Sequence, residues 1–256
     1  MLAMDPEPSP LRDLPAPFCP AGDHIAVELA GARALFTTRR GGSSTGPYAG
    51  LNMGTTFGPQ PEDVLRNRGA VQDSLGVTLA WGHQVHGRHI AIAASDPGPP
   101  DPREQADGQV TALPGVAATV MVADCLPVAV AGEGAVAMIH AGWRGLAAGN
   151  IAAGVERLRE VGVHGPLSAA IGPGAGPCCY EVGEEVHAAF SGHGTRARRG
   201  HNLDLKAIAA RELEHAGVQV VHDVGLCTIC SDPSLFFSHR RDQGVTGRQA
   251  GLAWRV

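Results

Sequence analysis

The sequence predicts a mixed α/β fold organised as one unit, and three features carry that expectation. Short runs rich in Val and Ile, bounded by Gly and polar residues, read as buried strands. Segments with three- and four-residue apolar spacing, or with capping residues, read as helices interleaved among those strands. No internal repeat at a period of about 20 to 50 residues and no linker divides the chain. At 256 residues it stays within the size that one large domain can reach. The folded unit is expected over residues 24–256, behind a flexible Pro-rich leader over residues 1–23.

Taken in order, Pro61–Leu75 opens with Pro and two acids and stops at Gly76, which predicts a helix by first-turn, dipole and C-terminal preferences. Val116–Val122 and Ala135–Ile139 are apolar runs that read as strands, each ending just before a candidate ligand. Leu146–Val161 carries Ile151, Val155 and Leu158 on one helical face. Leu167–Ile171 reads as a strand, then Glu184–Phe190 and Leu205–Ala216 as helices, the second with Asp204 as N-cap. Val218–Val221 and Leu252–Val256 close the pattern as strands.

Composition excludes several classes. A formal net charge of -5 argues against nucleic-acid binding, since such proteins carry a Lys/Arg excess, and the short basic run Arg196–Arg199 reads as a solvated loop between helices. No secretory pattern opens the chain and no apolar run is long enough to span a bilayer, so a soluble cytoplasmic protein is expected. The six cysteines are then expected as free thiols or metal ligands rather than disulfides.

Three residues are candidate metal ligands: His86 in GHQVHG, Cys125 in ADCLPV and His140 in HAGWRG. Catalytic zinc commonly takes three protein ligands and keeps a fourth position open, which suits a His/Cys/His set. A histidine after a strand is also often a hydrogen-bonded structural residue, and a buried cysteine often plain packing, so the residues alone leave the choice open. Gly42-Ser43-Ser44-Thr45-Gly46 matches a nucleophile-elbow pattern, but Pro47-Tyr48-Ala49-Gly50 does not begin the helix that an elbow requires. The ligand pattern of the cytidine-deaminase type is absent.

Together the motifs resemble the YfiH family, also known as the laccase-domain or polyphenol oxidase family and as purine nucleoside phosphorylases. The resemblance runs from FTTRRGGS at Phe36–Ser43 through Gly46-Pro47-Tyr48, Leu51-Asn52-Met53-Gly54, Asn67-Arg68, Gln84-Val85-His86-Gly87 and Ala106-Asp107-Gly108. It continues with Ala123-Asp124-Cys125-Leu126-Pro127, HAGWRG at His140–Gly145, Ile171-Gly172-Pro173, CCYEV at Cys178–Val182, Phe236-Phe237-Ser238 and Thr246-Gly247-Arg248. It implies a layered α/β structure with mixed sheets and a pocket at strand ends. It further implies zinc on His86, Cys125 and His140, phosphorolysis of adenosine, inosine and methylthioadenosine, and deamination of adenosine.

The chemistry of the residues agrees with those implications. Zinc brings a bound water's proton loss near neutral pH, which suits attack at C6 of adenine. Arg39 and Arg40, flanked by Gly41 and Gly42, offer guanidinium forks and backbone amides for phosphate, with Arg39 the expected phosphate residue. Asn52, Gln84 and Arg144 are candidate substrate contacts. Asp124 is a candidate to orient a histidine ligand, Glu181 a candidate acid or base, and His83 an alternative ligand ranked below His86. Cys227 and Cys230 form a CxxC spacing that could suggest redox chemistry or a second zinc, but Cys178, Cys179, Cys227 and Cys230 are expected to pack structurally, and Gly174-Ala175-Gly176 to loosen its loop. The resemblance also carries two competing roles: a copper-dependent phenol oxidase, and a peptidoglycan editing factor in cell-wall assembly. The purine nucleoside and phosphate are the expected partners, with a monomer the expected state.

Overall fold

The structure is a computed structural model that describes residues 11, 13–54, 61–93 and 105–256. Its first elements are β1 (Cys19–Ala21), β2 (His24–Leu29), β3 (Ala32–Phe36), α1 (Pro61–Leu75), β4 (Thr78–Ala80), β5 (Ala91–Ile92) and β6 (Gly108–Thr111). The central stretch follows as β7 (Val116–Val122), β8 (Leu126–Gly132), β9 (Ala135–Ala141), α2 (Trp143–Ala147), α3 (Asn150–Glu160) and β10 (Ser168–Ile171). The chain then adds α4 (Glu184–Ala189), β11 (Arg198–Arg199), β12 (Asn202–Leu203), α5 (Leu205–His215), β13 (Val220–Asp223) and β14 (Gln249–Arg255).

Two mixed six-stranded sheets form the frame, one in the order β1-β2-β3-β14-β7-β4 and the other β13-β10-β8-β9-β6-β5. The central strands β8, β9 and β14 are buried along nearly their whole length, and alternation of side chains explains how both faces are used. From β9, Val136 and Met138 meet Phe36, Val120 and Ala253 of the first sheet, so the sheets stack face to face. Ala137 and Ile139 of the same strand point the other way, onto Ile151, Val155 and Leu158 of α3 and into a core shared with Ile208 and Leu213 of α5. On the far side of the first sheet, Leu35, Leu79, Leu252 and Trp254 take up Val71 of α1. The result is four layers: helix, sheet, sheet, helices.

Most sequence expectations hold, and the departures have local causes. α1 spans the predicted residues, and Gly76 ends it at φ 65°. Asp204 caps α5 through its carboxylate, which accepts from Ala207 N at 3.0 Å. The predicted helix over Leu146–Val161 is instead two helices, because Gly149 adopts φ 81°, a left-handed conformation that breaks the ladder between α2 and α3. Residues 1–10 of the expected leader lie outside the described residues, and part of the rest belongs to the fold. Cys19–Ala21 pairs with β2, while Leu11 and Phe18 are buried in the inter-sheet core. The basic run carries the short strand β11, whose Arg198 forms a two-pronged pair with Glu184 at 2.6 and 2.8 Å. Among the described residues, no helix is long and apolar enough to cross a membrane, and all six cysteines are free.

Candidate metal centre

β7 and β8 are consecutive strands of different sheets, so residues 123–125 carry the chain from one sheet to the other. Residues 81–90 make a second crossing, from β4 to β5. His86 comes from one crossing and Cys125 from the other. His140 lies within β9, paired with Pro127 of β8, rather than after the strand as the sequence suggested. Donor atoms of His86, Cys125 and His140 lie within 4.8 Å of one another, and the two imidazoles meet edge-on at 4.8 Å and 66°.

The backbone is forced at both crossings. His86 has φ 61° and Asp124 φ 84°, a region that costs non-glycine residues energy and persists only where the surroundings impose it. For His86 the imposing group is Asp107. Its carboxylate accepts from the amides of Val85, His86 and Gly87 at 3.1, 2.8 and 2.7 Å. The same carboxylate lies 2.8 Å from Nδ1 of His140. One buried carboxylate therefore aims two of the three ligands and leaves Nε2 of His140 for a metal.

The role expected of Asp124 thus belongs to Asp107. Asp124 instead accepts from Thr228 Oγ1 and from Arg240 N, both at 2.7 Å, which fixes the bend before Cys125. Ala175 N adds a bond to the Asp124 carbonyl at 2.7 Å. The Gly174–Gly176 segment is correspondingly tight rather than loose. A Cβ on Gly174 would come within 2.5 Å of Leu126 Cδ2, and Ala175 is fully buried.

The electrostatics suit a cation. Burial pushes the Cys125 thiol up, but the charges and hydrogen bonds of His140 and His86 prevail and bring it down to about 6. Burial lowers His140, yet the Cys125 thiolate and Asp107 raise it to about 9. Each shift favours the charged form, thiolate on Cys125 and imidazolium on His140. Gly142 closes the wall behind it, since a Cβ there would sit 2.8 Å from Cys125 Sγ and 3.1 Å from His86 Cδ2.

Around Cys125 stands an aromatic and cationic rim. Tyr180 is raised to about 12 by burial and by the Cys125 charge, opposed by Arg240 and Arg144. Arg240 lies over its ring at 5.1 Å. Arg248 is lowered by burial and feels Cys125, Asp124 and Tyr48. Arg144 is exposed and stacked on Trp143 at 4.3 Å.

The other expected residues have different surroundings. Arg39 lies over Phe237 at 4.5 Å and donates through Nε and Nη2 to Ala49 O and through Nη1 to Pro233 O. Gln84 pairs its amide with both backbone groups of Met121 at 2.8 Å, imitating a strand neighbour of β7. Asn52 is buried, its Oδ1 accepting from Gly54 N and Arg248 N. His83 is exposed, bridges Gln105 through backbone, and is not part of the ligand group. Glu181 is exposed, and its carbonyl accepts from Arg240 at 2.7 Å. Asp107, Tyr180 and Arg248 lay in motifs already noted without a role assigned to them, whereas Arg240 carried no signal in the sequence.

Comparison with known proteins places this arrangement in a family. Residues 33–256 match the model of the family described as multi-copper polyphenol oxidoreductase laccase. A purine nucleoside phosphorylase of Pseudomonas aeruginosa is 39% identical over 237 residues, covering 88% of this chain and 94% of the relative. The purine nucleoside phosphorylase YfiH of Escherichia coli is 34% identical over 237 residues, covering 88% and 95%. The crystal structure of the hypothetical protein YfiH of Bacillus licheniformis superposes with a TM-score of 0.84 at 30% identity, over 94% of this chain and 100% of that one. Shared sequence along almost the whole chain and a shared fold mean that the chain belongs to the YfiH, or laccase-like polyphenol oxidoreductase, family.

Proposed function

We propose that this chain is a zinc-dependent purine nucleoside phosphorylase acting on adenosine, inosine and methylthioadenosine, with deamination of adenosine as a second activity of the same site. The observation that carries this reading is the convergence of His86, Cys125 and His140 under one orienting carboxylate, in a chain whose relatives bear the phosphorylase name. Two imidazoles and a thiolate, one histidine exposed and one buried, fit a three-ligand zinc site with a fourth position left open. When bound, zinc supplies Lewis acidity and brings the proton loss of a coordinated water near neutral pH.

The chain's own residues do the rest. Phosphorolysis joins a phosphate oxygen to C1′ of the ribose as the C1′–N9 bond breaks, and the purine leaves with the electron pair and takes up a proton. The attacking anion needs a cationic wall, and Arg144, Arg240 and Arg248 supply one beside Tyr180 and Cys125. Arg39 commits three donors to backbone carbonyls, so its share in holding phosphate rests on its remaining Nη hydrogens. Asn52 and Gln84 spend their amides on backbone and serve the site by holding Arg248 and β7 in place. Tyr180 offers its ring as a face for the base.

A His₂Cys set also suits a single copper ion. An oxidase of the multicopper kind needs in addition a histidine-rich cluster, and among the described residues the groups able to hold a metal are this one and a set of four cysteines. Zinc-loaded protein incubated with adenosine should give adenine and ribose 1-phosphate when phosphate is present and inosine when it is not, both lost in Cys125→Ala. Absence of any product under either condition overturns the reading, and bound copper with phenol oxidation would replace it.

A further inference from the structure

Cys178, Cys179, Cys227 and Cys230 were expected to be packing residues. Cys178 and Cys230 are exposed, so burial is not what those two gain. What the fold does is gather the thiols. β10 and β13 are parallel neighbours, so the loops that leave their ends run side by side. They are tied together by Gly174 N to Leu226 O at 3.3 Å and Thr228 N to Gly174 O at 3.1 Å. One loop carries the Cys178-Cys179 pair and the other the Cys227-Thr228-Ile229-Cys230 turn, closed by Ser231 N to Cys227 O at 3.0 Å.

All four Sγ atoms fall within 4.8 Å of one another, and those of Cys178 and Cys230 are 3.5 Å apart. A tetrahedron of sulfurs around zinc, with Zn–S about 2.3 Å, has edges of about 3.8 Å. The cluster therefore already has the dimensions of a filled site. Gly176 donates its amide to Cys227 Sγ at 3.2 Å, the kind of N–H···S contact that supports a thiolate. A Cβ at Gly176 would press on Cys227 Cβ at 3.1 Å and Cys178 Sγ at 3.2 Å, so only glycine fits against the sulfurs without displacement.

We propose that Cys178, Cys179, Cys227 and Cys230 form a second metal site, closed and tetrahedral, for zinc or another thiophilic divalent cation. Charge supports the geometry. Burial raises Cys227, but the amides of Cys230, Gly176 and Ile229 outweigh it and hold the thiol below its usual value. Burial and the neighbouring thiols push Cys178 up to about 11 and Cys179 higher still. A divalent ion binds the deprotonated thiols, whose protons pass to solvent. The site has a structural task as well. Both of its loops end on Asp124, through Ala175 N and Thr228 Oγ1, so the ion fixes the bend that presents Cys125.

The test is metal stoichiometry by mass spectrometry on protein purified under reducing conditions. Wild type should carry two equivalents, Cys125→Ala one, and Cys178→Ser/Cys230→Ser one. Cobalt(II) added to metal-free Cys125→Ala, which has no thiolate left at the first centre, should give the intense thiolate charge-transfer bands of a tetrahedral sulfur site. These bands should vanish when Cys178→Ser and Cys230→Ser are added. The cobalt spectrum needs no change in the cluster itself, so a poorly folding serine variant does not spoil the test. One equivalent in wild type that disappears completely in Cys125→Ala, or unreduced protein two or four hydrogens lighter through disulfides, overturns the proposal.

Discussion

The two clusters of ligand-type residues are built in opposite ways. The first draws one donor from each of three separate segments, and a buried carboxylate aims two of them. The second draws two donors from each of two loops that leave adjacent parallel strands, and backbone amides rather than charges support its sulfurs. The first keeps His86 exposed to solvent, whereas the second spends four thiols on each other's company. That is the physical difference expected between a centre with a position left for substrate and one that is closed, and both loops of the second cluster bond to Asp124, next to Cys125.

The contrast is broken most severely by Cys125→Ala, which should abolish nucleoside turnover while leaving the sulfur cluster its metal. Cys178→Ser/Cys230→Ser should invert this result. It should lower the melting temperature by about 6–12 °C, what roughly 3 kcal/mol does to a chain of this size, yet leave measurable turnover. Scanning calorimetry and product assays on the two variants read both halves of the comparison. If the serine variant melts like wild type, the cluster does not brace the fold.

Asp107→Asn sharpens the first half. It keeps the shape of the side chain but removes the charge that faces His140 and the turn at residues 85–87, so zinc affinity at the first centre should fall by about 10- to 100-fold. Competition with a chromophoric chelator measures it, and the sulfur cluster should hold its metal unchanged. Smaller again is Gly142→Ala, where the new methyl group meets Cys125 Sγ and the His86 ring. An overpacking cost of about 1–2 kcal/mol corresponds to roughly a tenfold loss of affinity in the same titration.

The pH dependence of metal-free protein gives the mildest of these tests. A thiol pulled from 9.0 to about 6 contributes stability that is lost as pH falls through 6. An imidazole raised from 6.5 to about 9 contributes stability that is lost as pH rises through 9. The thiol's share is complete only above pH 9 and the imidazole's only below pH 6.5, so the melting-temperature difference between wild type and Cys125→Ala should shrink as pH falls through 6. Zinc displaces the proton, so the loaded protein should lose the alkaline limb.

How much of this was legible in the sequence depended on how local each signal was. α1 could be read completely because its start, charge pattern and stop all lie within Pro61–Gly76. The break between α2 and α3 could not, because one glycine in an otherwise helical pattern does not announce a left-handed φ. β8 went unread although every residue in it is buried, since its identity comes from pairing with β9 and β10. At the site, the three ligands were visible through the motifs that hold them. The use of the Gln84 and Asn52 amides was not, because their partners lie 37 and 196 residues away and are backbone atoms that carry no sequence signature. Asp107 carries no role in the sequence reading for the same reason, since its part is visible only once residues 85–87 fold over it.

The placement of β14 ties the candidate centre to the far end of the chain. Gln249–Arg255 sits between β3 and β7, bonded to both, in the middle of its sheet. Loss of its pairing would leave the two halves of that sheet without a common neighbour, and the crossing that carries Cys125 leaves directly from β7, at one edge of the gap.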